Sequence, residues 1–172
     1  MPLDLARLDL RDALDLAILM EAEAQARYLD FARIVGGRYP GDAADVFKLM
    51  ASYEEKHGEQ LSARRRSLFQ DAPRRVGMEM LDDVEAPDRG QPRVFMSPRD
   101  AVEVAIRSEE KAWTFFDEAL RQVKDPDVRA LFVELRAEEA EHKQLLARRL
   151  ASLPPGPDLT EAEADAPGSD GG

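Results

Sequence analysis

The sequence predicts an all-α fold, an antiparallel four-helix bundle with a long crossover between the second and third helices. Four long runs carry apolar residues at helical spacing, whereas no run alternates apolar and polar residues as a β-strand does. The four runs form two similar halves, each with two helices joined by a short loop. Between the halves, residues 70–96 contain three prolines and are too long for a tight turn. We therefore expect them to cross from one end of the bundle to the other.

The helices of the first half have recognisable ends. The first helix is predicted from about Asp4 to Val35, and Gly36-Gly37 ends it as a C-cap. The second is predicted from about Ala43 to Phe69, because Asp42 can cap its first turn. Near its end, Arg64-Arg65-Arg66 is interpreted as a solvated helix terminus whose charges complement the helix dipole.

The second half starts at Ser97-Pro98-Arg99-Asp100, which combines a hydroxyl N-cap, a proline in the first turn and a carboxylate three residues after the cap. This third helix is predicted to run to about Val123. Asp125-Pro126-Asp127 starts the fourth helix in the same way, and a proline-rich stretch stops it after about Leu153. One further helical turn is expected in the crossover, around Val76 to Leu81.

These helices predict one folded domain followed by a tail. We expect residues 1–153 to form the bundle, since 172 residues are enough to bury a single core. Residues 154–172 are rich in acidic and small side chains and cannot bury enough apolar surface to fold alone. They are predicted to be disordered.

The composition narrows the range of functions. The chain has no cysteine, which excludes disulfides, thiolate metal sites and a cysteine nucleophile. A net charge of −11 attracts cations and repels nucleic acids and anionic membranes, so neither of these is an expected partner. The chain does not open with a basic segment followed by an apolar run, and no apolar run is long enough to span a bilayer. We expect a soluble, cytoplasmic protein.

The chain has only two histidines, and each lies three residues after a glutamate. The two units are Glu54-Glu55-Lys56-His57 and Glu139-Ala140-Glu141-His142. Residues i and i+3 share one face of a helix, so each unit directs a carboxylate and an imidazole to the same point. Apolar residues flank both units at matching positions, which places the polar pairs on the inward face. Buried polar groups of this kind need a compensating partner.

Two further glutamates complete the repeat, because Ala17-Ile18-x-x-Glu21 in the first helix matches Ala105-Ile106-x-x-Glu109 in the third. The bundle would bring six side chains to one level of its core: Glu21, Glu54, His57, Glu109, Glu139 and His142. Four carboxylates and two imidazoles suit two iron or manganese ions. In this interpretation Glu21 and Glu109 are terminal ligands, the other two glutamates bridge the metals, and each histidine completes one metal. Solvated helix-face pairs and a metal-free interaction module remain as alternatives.

These six residues, with the Ala-Ile-x-x-Glu and aromatic flanks, resemble the rubrerythrin branch of the ferritin-like superfamily over residues of about 5–153. The resemblance implies a ferritin-like bundle that holds two iron ions per chain, with manganese as an alternative, and that forms a homodimer. It also implies an oxidoreductase of the ferroxidase or peroxidase type that reacts with dioxygen or hydrogen peroxide. Tyr28, two turns after Glu21, is interpreted either as a hydroxyl neighbour of a ligand carboxylate or as a core residue.

The chain also departs from the family pattern. Ala112 stands where peroxide-reducing rubrerythrins usually have a further carboxylate, and Ala24 occupies the equivalent position of the first helix. Without cysteine there is no rubredoxin module, so electrons must come from a separate donor or from the iron itself. The alternative function is therefore iron binding, storage or delivery without turnover of a substrate.

Overall fold

The computed structural model describes residues 4–77, Met80, Val94 and residues 96–154. Over these residues the chain forms a short 3-10 turn and four α-helices, and no strand. The helices are α1 (Leu10–Val35), α2 (Ala43–Phe69), α3 (Pro98–Ala119) and α4 (Pro126–Ser152). The all-α, four-helix fold predicted from the sequence is confirmed. Within the described ranges, no helix combines the length and apolar character needed to cross a membrane.

Side-chain caps explain where the first two helices begin. Asp42 accepts a hydrogen bond from a first-turn backbone amide at 3.2 Å, and α2 has both of its predicted bounds. The first helix begins later than predicted. Asp9 caps α1 by accepting a hydrogen bond from a first-turn backbone amide at 2.9 Å. The residues before it form a separate turn, Leu5–Arg7, which Asp4 caps.

The third helix ends at Ala119, earlier than the predicted Val123. Arg129 of α4 donates to the carbonyl oxygens of Leu120 at 2.5 Å and Val123 at 3.1 Å. Because a side chain from the next helix satisfies these carbonyls, the last turn can unwind without leaving them unpaired. α4 keeps its predicted start and ends one residue early, at Ser152.

Two apolar clusters fill the two ends of the bundle, in which α1 packs mainly against α2 and α3 mainly against α4. One cluster contains Leu14 from the start of α1 and Leu131 from the start of α4. The other contains Phe31 from the end of α1, Phe47 from the start of α2 and Leu146 from the end of α4. α1 and α4 therefore run in one direction, and α2 and α3 run against them.

The crossover connects opposite ends of the bundle, as the sequence predicts. Phe69, the last residue of α2, packs against the first cluster. Met96, just before α3, packs against the second. The last residue of α2 and the residue before α3 therefore lie at opposite ends of the bundle.

Part of the crossover and the tail fall outside the described residues. Of the turn expected around Val76 to Leu81, Val76 is buried, and the Met80 amide donates to the Gly77 carbonyl at 3.0 Å. The rest of that stretch is not among the described residues. Neither are residues 155–172, so the disordered tail and the domain boundary before it stay predictions.

Arg65 is not the solvated helix end that the sequence suggested. Its guanidinium is buried and donates to Asp15 of α1 from Nε at 2.7 Å and from Nη2 at 3.2 Å. It also donates to the carbonyl oxygens of Gln70 at 3.1 Å and Ala72 at 2.6 Å. Arg65 thus ties α2 to α1 and to the first residues of the crossover.

Candidate metal centre

The four helices bring six polar side chains together between the two apolar clusters. They are Glu21 of α1, Glu54 and His57 of α2, Glu109 of α3, and Glu139 and His142 of α4. No glutamate of this set is more than 3% exposed. Burial therefore excludes a solvated helix-face position for the four glutamates.

The ligand atoms form two overlapping groups. Atoms from Glu21, Glu54 and His57 lie within 4.8 Å of one another. Atoms from Glu54, Glu109 and His142 do so as well. Glu54 belongs to both groups, as a carboxylate that bridges two metal ions must, whereas Glu139, the other predicted bridge, belongs to neither.

His142 is held by carboxylates. Its Nδ1 lies 2.8 Å from Glu109 Oε2 and 3.9 Å from Glu139 Oε2. Burial alone lowers the pKa of His142, but the hydrogen bond with Glu109 and the surrounding negative charges outweigh burial, and the pKa is raised. His142 Nδ1 and Glu109 Oε2 thus face each other at a position where one cation could contact both side chains.

Tyr28 supports the same glutamate from the other side. Its fully buried hydroxyl donates to Glu109 Oε1 at 2.7 Å. Of the two interpretations of Tyr28, this contact favours the one in which its hydroxyl neighbours a ligand carboxylate. Burial, and then the Glu109 charge, raise the pKa of Tyr28 well above 10. The side chain therefore stays a phenol that donates, and it fixes the orientation of the carboxylate.

His57 has a different environment from its repeat partner. Its side chain is 15% exposed, and its Nδ1 has no hydrogen-bond partner within the described part of the chain. Burial and then the neighbouring His142 lower the pKa of His57, so the ring is neutral at neutral pH. The two imidazoles stack at 4.9 Å with an interplanar angle of 10°. A neutral imidazole nitrogen of this kind is a ready metal ligand.

Tyr53 was not singled out from the sequence. Its ring stacks on His142 at 5.4 Å. The available signal was its spacing, since a residue four positions before His57 shares the same face of α2.

The surroundings of Glu21 indicate whether a metal ion fits among these side chains. Its Oε2 is buried and accepts no hydrogen bond from the described residues. Burial raises the pKa of Glu21 to about 7, and the Glu109 charge adds to the effect, while a hydrogen bond with Glu54 opposes it. A buried carboxylate oxygen without a donor, beside a neutral imidazole nitrogen without a partner, is satisfied by a cation. The oxygen-rich donor set with two nitrogens fits iron or manganese.

Known proteins share this architecture. The rubrerythrin family model matches residues 12–87 and 100–167. The chain belongs to the rubrerythrin family. The crystal structure of an uncharacterized conserved protein from Magnetospirillum magnetotacticum has a TM-score of 0.69 and 28% identity, and the match covers 89% of this chain and 100% of that chain. The resemblance drawn from the repeated motif is confirmed.

A second similar structure is a hypothetical protein from Pyrococcus furiosus, with a TM-score of 0.50 and 20% identity over 85% of this chain and 90% of that chain. At this identity the likeness shows the fold alone. No curated protein matches the chain significantly.

Two small residues lie close to the candidate ligands in the sequence. Ala24 and Ala112 are fully buried, each three residues after a candidate ligand and on the same helix face. The family resemblance suggested a further carboxylate at these two positions. Here methyl groups occupy them, and neither helix supplies a seventh carboxylate from that position.

Without metal, the protein is expected to lose stability as the pH rises from 4.5 to about 7, because the folded-state pKa of Glu21 is about 7 against an ordinary 4.5. Folded Glu21 keeps a proton that the unfolded chain releases. Its contribution is complete below pH 4.5 and lost as the pH rises through 7, and it amounts to roughly 3 kcal/mol. Urea unfolding of chelator-treated protein across this range measures it.

Glu21→Gln should flatten that pH dependence. The raised pKa of His142 acts in the same direction as Glu21 and the lowered pKa of His57 acts against it, but both are present in the variant and the wild type. Equal slopes for the two proteins between pH 4.5 and 7 would show that Glu21 is ionised in the folded state.

Proposed function

We propose that this chain binds two iron ions in the core of the bundle and acts as an oxidoreductase of the ferroxidase or peroxidase type. The observation that carries the proposal is the pair of overlapping ligand groups that share the buried Glu54. Family membership supports it, since the rubrerythrin model spans both halves of the chain.

The residues present divide into ligands and supports. Glu21, Glu54 and His57 would hold one ion, and Glu54, Glu109 and His142 would hold the other. Glu139, whose Oε2 lies 3.9 Å from His142 Nδ1, would join the second ion. Bound iron would supply the redox chemistry, since two ferrous ions carry the two electrons that reduce one hydrogen peroxide to water. The apolar clusters cover the carboxylates from the two ends of the bundle. Close to the ligands, Tyr28 positions Glu109 through its hydroxyl.

Anaerobic titration of the chelator-treated protein with ferrous iron tests the proposal. Binding should saturate at two ions per chain, and exposure to dioxygen or hydrogen peroxide should then oxidise both. Saturation at one ion, or no binding at all, contradicts it. Repeating the titration with manganese decides between the two metals that the donor set accommodates.

A storage or delivery role is the second candidate, and the absence of cysteine favours it. A chain without cysteine carries no iron–sulfur module, so turnover needs a separate electron donor. Peroxide consumption with a supplied reductant distinguishes the two functions. An oxidoreductase consumes peroxide continuously, whereas a storage protein shows one burst of about one turnover per site and stops.

Tyr28→Phe is expected to weaken metal binding by about 10- to 100-fold without changing the stoichiometry, because Glu109 loses the hydroxyl that orients it. Competition with a chromophoric chelator under argon measures the affinity. Tyr53→Phe is the matched control, since it also removes one hydroxyl but keeps the ring that stacks on His142. An equal loss in both variants would mean that the Tyr28 hydroxyl has no specific role.

A further inference from the structure

A cavity of about 270 Å³ lies between the second half of α2 and the first half of α4 and opens to the surface. Its lining includes His57, the more exposed of the two candidate histidine ligands. The cavity therefore joins the solvent to one edge of the metal centre. Its volume is enough for several water molecules.

The inner end of the cavity pairs His57 with a carboxylate outside the six predicted ligands. Glu138 Oε2 lies 3.8 Å from His57 Nδ1, too far for a hydrogen bond. With ligand bonds of about 2.1 Å, two atoms bound to one cation lie about 3 Å apart at a right angle and about 4.2 Å apart in line. The observed separation falls in this range. One cation can therefore contact both side chains before it reaches Glu21 and Glu54.

The outer part of the cavity carries balanced charge. Arg64 of α2 donates to Glu134 of α4 at 2.9 Å, and both side chains are more than a third exposed. The lining therefore holds one more carboxylate than arginines, and Glu138 is the carboxylate that lies beside His57. Leu61 and Leu135 also line it, and apolar walls strengthen the field of a charge beside them.

We propose that this cavity is the route by which a divalent cation reaches the metal centre, with Glu138 as a transit ligand that passes the ion to His57. The inference rests on the proposed function, because it presupposes that the centre binds metal. The lining favours a cation over a neutral peroxide molecule, since the carboxylate and the imidazole nitrogen at the inner end are both metal ligands.

The test is the rate of metal uptake. Chelator-treated protein is mixed with cobalt(II) chloride in a stopped-flow instrument without oxygen, and the cobalt absorption is followed to its end point. Glu138→Gln should slow uptake on the order of tenfold while leaving the final stoichiometry and affinity unchanged. Glu138→Asp keeps the charge in the cavity and should recover most of the rate. Glu59→Gln removes the same charge from an exposed position of α2 and is the control.

The outcomes separate the two proposals. If wild-type protein binds no cobalt, iron or manganese, the proposed function fails and the route fails with it. If wild-type protein binds two ions and Glu138→Gln takes them up at the wild-type rate, only the route is overturned. A lower stoichiometry or affinity in Glu138→Gln also overturns it, since Glu138 would then be a permanent ligand. Equal slowing in Glu59→Gln would reduce the effect to overall charge and overturn it as well.

Discussion

Arg65→Met is expected to lower the free energy of unfolding by about 3 kcal/mol, because the buried Asp15 carboxylate loses both of its hydrogen bonds. It keeps only the half-exposed Arg74, whose Nε lies 3.5 Å from Asp15 Oδ1. Asp15 is fully buried, and the Arg65 guanidinium donates to both of its oxygens. The substitution also removes the donor to the carbonyl oxygens of Gln70 and Ala72, where the crossover leaves α2. Methionine keeps most of the side-chain volume, so the loss reports the polar contacts and not a cavity.

Urea unfolding with metal bound and with metal removed measures the loss. The control is Arg66→Met, which removes the same charge from an exposed neighbour and should change stability by less than about 0.5 kcal/mol. Adding Asp15→Asn to Arg65→Met removes the charge of the buried carboxylate and should recover part of the stability. A loss no larger than that of Arg66→Met would mean that the ion pair contributes nothing to the fold.

Glu54→Gln combined with Glu139→Gln is expected to abolish metal binding and to raise the melting temperature of the metal-free protein. Both glutamates are about 1% exposed, beside two other buried carboxylates. Removing two negative charges relieves their mutual repulsion and their desolvation, whereas the amide groups keep the shape of the core. The same change takes away the group shared by the two ligand sets.

The measurement compares melting with ferrous iron and with chelator. Metal at about a thousand times its dissociation constant stabilises a protein by about 4 kcal/mol. For a chain of this size, this corresponds to a rise of roughly 8–16 °C in the wild type. The double variant should melt at one temperature in both conditions. Glu55→Gln with Glu141→Gln is the matched control, because these exposed neighbours lie on the same helices, and it should keep the wild-type difference.

Equal melting of the wild type with and without metal would contradict this prediction. The four carboxylates would then have to be compensated by the protein alone. The pH titration of Glu21→Gln would show how, since a protonated Glu21 is the form that burial favours.

The helices could be read from the sequence because their ends are local. Asp42 and Asp125 cap α2 and α4 through contacts within four residues, and both of these helices begin where predicted. The start of α1 was predicted too early, because Asp4 and Asp9 can each cap a helix. The end of α3 was missed because Arg129, a residue of the next helix, satisfies carbonyl groups just beyond Ala119.

The sequence by itself determined that six ligand-type side chains would face one level of a four-helix core, because helical spacing and an internal repeat are properties of the chain alone. Tertiary structure decided what each of them meets there. His57 and His142 occupy equivalent positions of the repeat, yet the pKa of His57 is lowered and that of His142 is raised. The difference arises because Glu109, from α3, bonds His142, whereas His57 borders a cavity between α2 and α4. Burial, charge pairing and access to solvent depend on contacts between distant residues, and no local pattern encodes them.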